Sequence, residues 1–204
     1  MSTTRAQENV LASAQPPASR PGDRRSVIVE AALTLIAEGG VDAVTHRKVA
    51  AAAGVPLGST TYYFESRAHL IRAAFDHYLE RVQRLQAEIG APDGSNAQAL
   101  VDFLVAFAER EAQERSYLRA EYEMTLFAAR DPVLAATLER WLESMVGQMA
   151  DALARAGARA PEEAARSVLD LMRGFELSQL TRSAPDPTLR HRLGALLSAY
   201  LPSE

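Results

Sequence analysis

The sequence predicts an all-α protein of about nine helices, and three features of its 204 residues carry that prediction. Apolar side chains recur at the three-and-four spacing of one helix face through most of the chain. Gly and Pro punctuate those stretches at Gly39-Gly40, at 91 to 96, at Asp131-Pro132, at Gly157 with Pro161, and at Pro185-Asp186-Pro187. No stretch keeps the β-branched alternation of a strand between turn signals.

Residues 1 to 22 are rich in Ser, Ala, Gln and Pro without apolar periodicity, so a disordered tail is expected there. Asp23 offers an N-cap for a first helix, whose inner face is Ile28, Ala31, Ala32, Leu35 and Ile36 and whose end is Gly39-Gly40. Thr45 caps a short second helix with Val49, Ala50 and Ala53 inward, and Gly54 supplies its left-handed end. Pro56 pre-sets a third short helix that runs to about Phe64. Ser66 caps a long fourth helix whose apolar positions run from Leu70 to Ile89, closed by Gly90. Five further helices are expected at about 96–113, 115–129, 131–156, 161–182 and 186–201.

Two short helices joined by Gly54-Val55-Pro56 bury little alone and need the first and fourth helices as supports. That arrangement is a helix-turn-helix, in which the second short helix enters the major groove of DNA and the first braces against the backbone. The charge distribution fits. Residues 20 to 72 carry a local balance of +2, against −6 for residues 73 to 204, within a net charge of −4.

The run Thr45-His46-Arg47-Lys48-Val49-Ala50, then Ala53-Gly54-Val55-Pro56-Leu57-Gly58-Ser59-Thr60-Thr61-Tyr62-Tyr63-Phe64, then Ser66-Arg67 and Leu70, resembles the N-terminal domain of TetR-family transcriptional regulators. The resemblance spans residues 24 to 72, and Glu121 to Met124 with Arg130-Asp131-Pro132 resembles one subgroup of that family's C-terminal domains. It implies roles at matching positions. Thr45 and Lys48 would meet phosphates, and Arg47 would reach a guanine edge. Leu57, Ser59 and Thr61 would face base edges, with Gly58 admitting the backbone to the groove. Tyr62 and Tyr63 would place hydroxyls on phosphates, and Arg67 would add a cationic clamp at a helix N-terminus. Pro56, Thr60 and Thr61 depart from the family's usual residues, which leaves Thr60 open as packing or reader. Lys48 and Arg67 are equally readable as solvated charges. Arg24 and Arg25 are readable as a minor-groove arm or, more simply, as a solvated helix start.

The implied organisation is a tail over 1–22, a DNA-binding domain over 23–68, and a ligand-sensing and dimerisation domain over 69–204. Bulky side chains gather in the middle helices at Phe103, Phe107, Tyr122, Phe127, Trp141, Met145, Met149, Met172 and Phe175. They fit an adaptable apolar effector pocket or an ordinary core. Gln179, Glu121 and Glu176 would orient a ligand if they face inward, although Glu121 reads better as a surface residue. The last two helices carry more apolar positions than one subunit is expected to hide, so a twofold dimer through them is expected, with an internally packed monomer as the alternative. The expected partners are a palindromic duplex operator, a small-molecule effector and a second copy.

Other classes find little support. With no cysteine, disulfides and thiolate chemistry are excluded, and no residue pattern implies a cofactor. No run approaches the roughly 18 apolar residues of a membrane span, and the chain start lacks the apolar block of a signal peptide, so no membrane partner and a cytoplasmic home are expected. The four histidines are scattered without metal-ligand spacing, which argues against an enzyme. A helical scaffold without DNA binding would leave Arg47, Gly58 and the paired tyrosines as coincidence.

Overall fold

The computed structural model describes residues 21–90, 95–182 and 187–202. The helices are α1 (Pro21–Gly39), α2 (His46–Ala52), α3 (Leu57–Tyr63), α4 (Arg67–Ile89), α5 (Ala97–Ala112), α6 (Arg115–Ala128), α7 (Pro132–Arg155), α8 (Pro161–Gln179) and α9 (Leu189–Ser198), with a 3-10 turn at Val41–Ala43 and no strand among the described residues. The expected tail lies outside the described residues up to position 20. Its last two members do not: Pro21 and Gly22 already belong to α1, two positions ahead of the Asp23 cap. Proline suits a first helical turn because the amide it lacks has no partner there.

Local chemistry explains most boundaries. Thr45, Ser66 and Asn96 each accept a bond from the amide three residues on, and Asp131 accepts from both Val133 and Leu134. Gly40, Gly54, Gly90 and Gly157 follow helix ends at positive φ. The helix expected over 161–182 ends at Gln179, because the amides of Leu180 and Thr181 reach back only three residues and tighten the last turn.

One apolar core runs unbroken from Ile28, Ile36 and Phe64 in the head, through Phe75 and Tyr78 of α4, to Leu153, Val168 and Leu193. The head is α1 to α3 with the start of α4. It is held by more than the fourth helix: α1 lies broadly on α6 as well as on α4. On that face Glu30 accepts from His77 (3.0 Å) and from the Tyr117 hydroxyl, while Arg119 reaches the Ala37 carbonyl at 3.4 Å. Gly40 sits so close to Glu123 that a Cβ would come within 2.8 Å of its carboxylate.

The body pairs α7 with α8 and folds α9 back onto α5 and α8. Leu189, Leu193 and Leu197 of α9 are thereby buried inside the subunit. The premise that these apolar positions need a second copy is corrected for α9, since α5 covers them. On α8 the outward side keeps Gly174 and Leu177 exposed, the latter at 52%.

Candidate nucleic-acid interface and effector cavity

The reading head is built from two seven-residue helices set at an angle by Gly54, whose φ is 64°. Val49, Ala50 and Thr60 turn inward, and Phe64 closes the corner with no exposure at all. Thr60 is settled as packing: its hydroxyl donates to the Leu57 carbonyl at 2.8 Å and lies 3.5 Å from the carbonyl of His46. That bond ties α3 to the start of α2. Arg25 lies over the Phe64 ring at 5.5 Å, at the head's own core.

The other side of these helices faces out. Thr45, Arg47 and Lys48 of the α2 edge are exposed, as are Leu57, Gly58, Thr61 and Tyr62 of α3, with Tyr62 81% exposed. Ser59 and Tyr63 are half-buried, and the rings of Tyr62 and Tyr63 meet edge to face at 5.0 Å. Of the ten expected reading-head residues, seven are thus exposed and Ser59 and Tyr63 half-buried. Arg67 differs. Its guanidinium donates to the carbonyls of Val44 (3.0 Å) and Val41 (2.6 Å) and pairs with Asp42 (2.8 Å). A group that satisfies the 3-10 turn this way is a brace of the head and not the solvated charge of the alternative reading.

A cavity of about 400 Å³ opens between α4, α5, α6, α7 and α8. Phe103, Phe107, Trp141, Met145, Met149 and Met172 line it as expected, the two phenylalanine rings stacked 6.4 Å apart. Four expected lining residues do not reach it. Tyr122 sends its hydroxyl to the Arg173 carbonyl at 2.8 Å, Phe175 and Gln179 are buried elsewhere on α8, and Phe127 packs against the core. Tyr122, Phe127 and Phe175 lie on the same helices as lining residues but around the turn from them, and Gln179 lies one turn beyond Glu176 on its stripe.

Glu121 reverses its expected exposure. It is 2% exposed, accepts from the Tyr78 hydroxyl, lies 3.6 Å from Arg173, and forms part of the cavity wall with Glu176 and Glu111. Burial pushes its carboxyl above the usual range, against the bond from Tyr78 and the charge of Arg173. Glu176, also buried, is pushed up to about 8, by burial first and then by Glu121. Glu111 is raised well above its ordinary value, by burial first and then by the charges of Glu176 and Glu121. The signal for these acids was their register. Glu121 sits three residues from both Leu118 and Met124, and Glu176 four from Met172, so each occupies a core stripe.

Among known proteins, the family profile for bacterial regulatory proteins of the tetR family matches residues 28–74. The Tetracyclin repressor-like C-terminal domain matches residues 95–203, more than half of the chain. The chain belongs to the TetR family. This TetR-family protein is 29% identical over 188 residues to the HTH-type transcriptional repressor KstR of Mycolicibacterium smegmatis, with 89% of each chain covered. It is 26% identical over 189 residues to the HTH-type nicotine-responsive transcriptional repressor HdnoR of Paenarthrobacter nicotinovorans, covering 88% of this chain and 94% of that one. The crystal structure of the multidrug binding protein EbrR complexed with ethidium matches with a TM-score of 0.67 at 31% identity, over 85% of this chain and 98% of that chain. The TetR-family chain is a DNA-binding, ligand-responsive transcriptional repressor.

Proposed function

We propose that this repressor holds a palindromic operator as a homodimer and leaves it when a small molecule fills the cavity between α4 and α8. The observation that carries the reading is the outward face of α3 beside the capped end of α2. Leu57, Gly58, Thr61 and Tyr62 are exposed there, and the protein's own packing requires none of them. With α3 in the major groove, Leu57, Ser59 and Thr61 meet base edges around Gly58, while Arg47 of α2 reaches a guanine. Thr45, Lys48, Tyr62 and Tyr63 take phosphates.

In this reading residues 23–68 bind DNA and 69–204 sense and dimerise, with no catalysis, in the cytoplasm where operators lie. Dimerisation runs through the α8–α9 pair, supported by the outward side of α8, where Leu177 and Gly174 are exposed, while the apolar face of α9 stays inside the subunit. The names of two relatives, nicotine-responsive HdnoR and ethidium-bound EbrR, support a small organic effector. The effector shifts a population between two head spacings, because α1 and α4 ride on helices that wall the cavity.

The test starts from a random duplex pool, from which the purified protein selects its operator. The expected product is a palindrome with half-sites about one helical turn apart, bound with an affinity that falls steeply with salt. Selection of no palindrome, or binding indifferent to salt, overturns the reading.

A further inference from the structure

We propose that the cavity is built for a flat organic cation, its charge held by the carboxylates of Glu121, Glu176 and Glu111 and its ring by Phe103, Phe107 and Trp141. This rests on the effector-site reading above and adds the chemical class.

Two independent observations carry it. The first is the space itself. Protein interiors close-pack, and voids larger than a water molecule are few, so an aromatic-lined cavity of about 400 Å³ is a ligand-sized space and not a packing defect. Stacked phenylalanine rings and an indole offer flat, electron-rich faces, which attract a cation as well as an apolar ring.

The second is an imbalance of charge. Three acids from three different helices converge on the wall, and Arg173 is the one cationic side chain among the described residues that line it. The remaining polar partners are neutral: Tyr78 donates to Glu121, and the Tyr122 hydroxyl, turned chiefly to the Arg173 carbonyl, lies 3.3 Å from the Glu176 carboxyl. With all three carboxyls ionised, one guanidinium leaves two negative charges uncompensated beside an apolar surface, which is costly. An empty cavity escapes that cost by keeping protons: burial raises all three carboxyls, and repulsion from the neighbouring acids adds to it at Glu111 and Glu176. A bound cation removes the cost differently, by supplying the missing positive charge and letting protons leave. An anionic effector would worsen the imbalance.

The sign of the pH dependence follows. The charged groups facing the ligand are Glu111 from α5, Glu121 from α6, and Arg173 and Glu176 from α8; Tyr78 of α4 and Tyr122 of α6 stand behind them against Glu121 and Glu176, and α7 contributes only Trp141, Leu142, Met145, Gln148 and Met149. Tyr78 and Tyr122 are themselves pushed up by burial, so they stay protonated. Glu176 is protonated below about 8 when the cavity is empty. Binding a permanent cation therefore releases a proton, and its affinity rises with pH by up to about tenfold per unit until the carboxyl is ionised on its own.

The test uses the full chain and three fluorescent probes: N-methylacridinium, a permanent cation; acridine, its uncharged near-isostere at about pH 8; and acridine-9-carboxylate. Direct titration without DNA is expected to favour the cation over acridine by on the order of tenfold or more. That preference and its rise between about pH 6 and pH 8 are expected to vanish in Glu176→Gln and to shrink in Glu111→Gln, with acridine binding little changed. Both variants are checked for fold by thermal melting and by retained operator binding. Equal binding of cation and acridine, preference for the carboxylate, or binding of none of the three overturns the cation assignment. A separate arm adds operator DNA. Tight, pH-dependent cation binding that leaves operator affinity untouched supports the charge class and removes the cavity's role as effector site, so the two ideas fail separately.

Discussion

Gly58 lies inside α3 at a place where the fold itself has no use for a glycine, since a Cβ there would meet no atom within 4 Å. A glycine inside a helix costs roughly 0.5 to 1 kcal/mol relative to alanine, so its value lies in what approaches from outside. Gly58→Ala is expected to raise stability by about that amount in denaturant unfolding, yet to weaken operator binding in the same preparation. Opposite signs in the two assays separate a contact residue from a structural one. Arg47→Ala is expected to lose about 1 to 3 kcal/mol of discrimination at one base position, read by repeating operator selection with the variant. Arg67 belongs to the other category. Its removal takes the guanidinium from the carbonyls of Val44 and Val41, the latter keeping only the Val44 amide, and is expected to lower the melting temperature first, with DNA binding failing only as the head loosens.

At the scale of elements, Asp131 does two jobs at once. It caps α7 through the amides of Val133 and Leu134 and grips the Arg72 guanidinium of α4 with both oxygens at 2.8 to 3.2 Å. Burial opposes its charge, but these bonds win and hold the carboxyl below its usual range. A depressed folded value means a contribution present above about pH 4 and lost as pH falls through the folded value. Asp131→Ala is expected to cost on the order of 2 to 4 kcal/mol at neutral pH, and to flatten the loss of stability between about pH 5 and pH 3. The nine helices of the described residues were legible in the sequence, because caps such as Thr45 and Ser66 and breaks such as Gly54 and Gly90 act locally. Pairing between distant elements was not. Nothing within α4 marks Arg72 as the partner of a residue 59 positions away, and no local pattern announced that α1 would rest on α6 or that α9 would fold onto α5. The proposed reading surface could be laid out from the sequence for a similar reason: it is confined to two short helices. The cavity was legible only in part, since aromatic content located its helices while the turn-by-turn orientation excluded Tyr122 and Phe175.

For the whole molecule, the proposed dimer places its weight on α8. Leu177→Arg is expected to shift sedimentation from dimer to monomer and to reduce operator binding to weak half-site occupancy, while the melting of each subunit changes little, because that side chain is outside the core. The continuity of the core from Ile28 to Leu193 has its own consequence: head and body are expected to unfold in one transition, with probes in both reporting one midpoint. The contact between α1 and α6 also decides how a message travels. Glu121, in the cavity wall, and Tyr117, under the head, are four residues apart on the same helix, which is one turn. A stiff rod moves both ends together, so a ligand that nudges the inner one tips the outer one without any segment melting. If the proposed cavity is the effector site, hydrogen exchange along α6 is expected to stay slow on either side of induction, the mark of a rocker in place of a fuse.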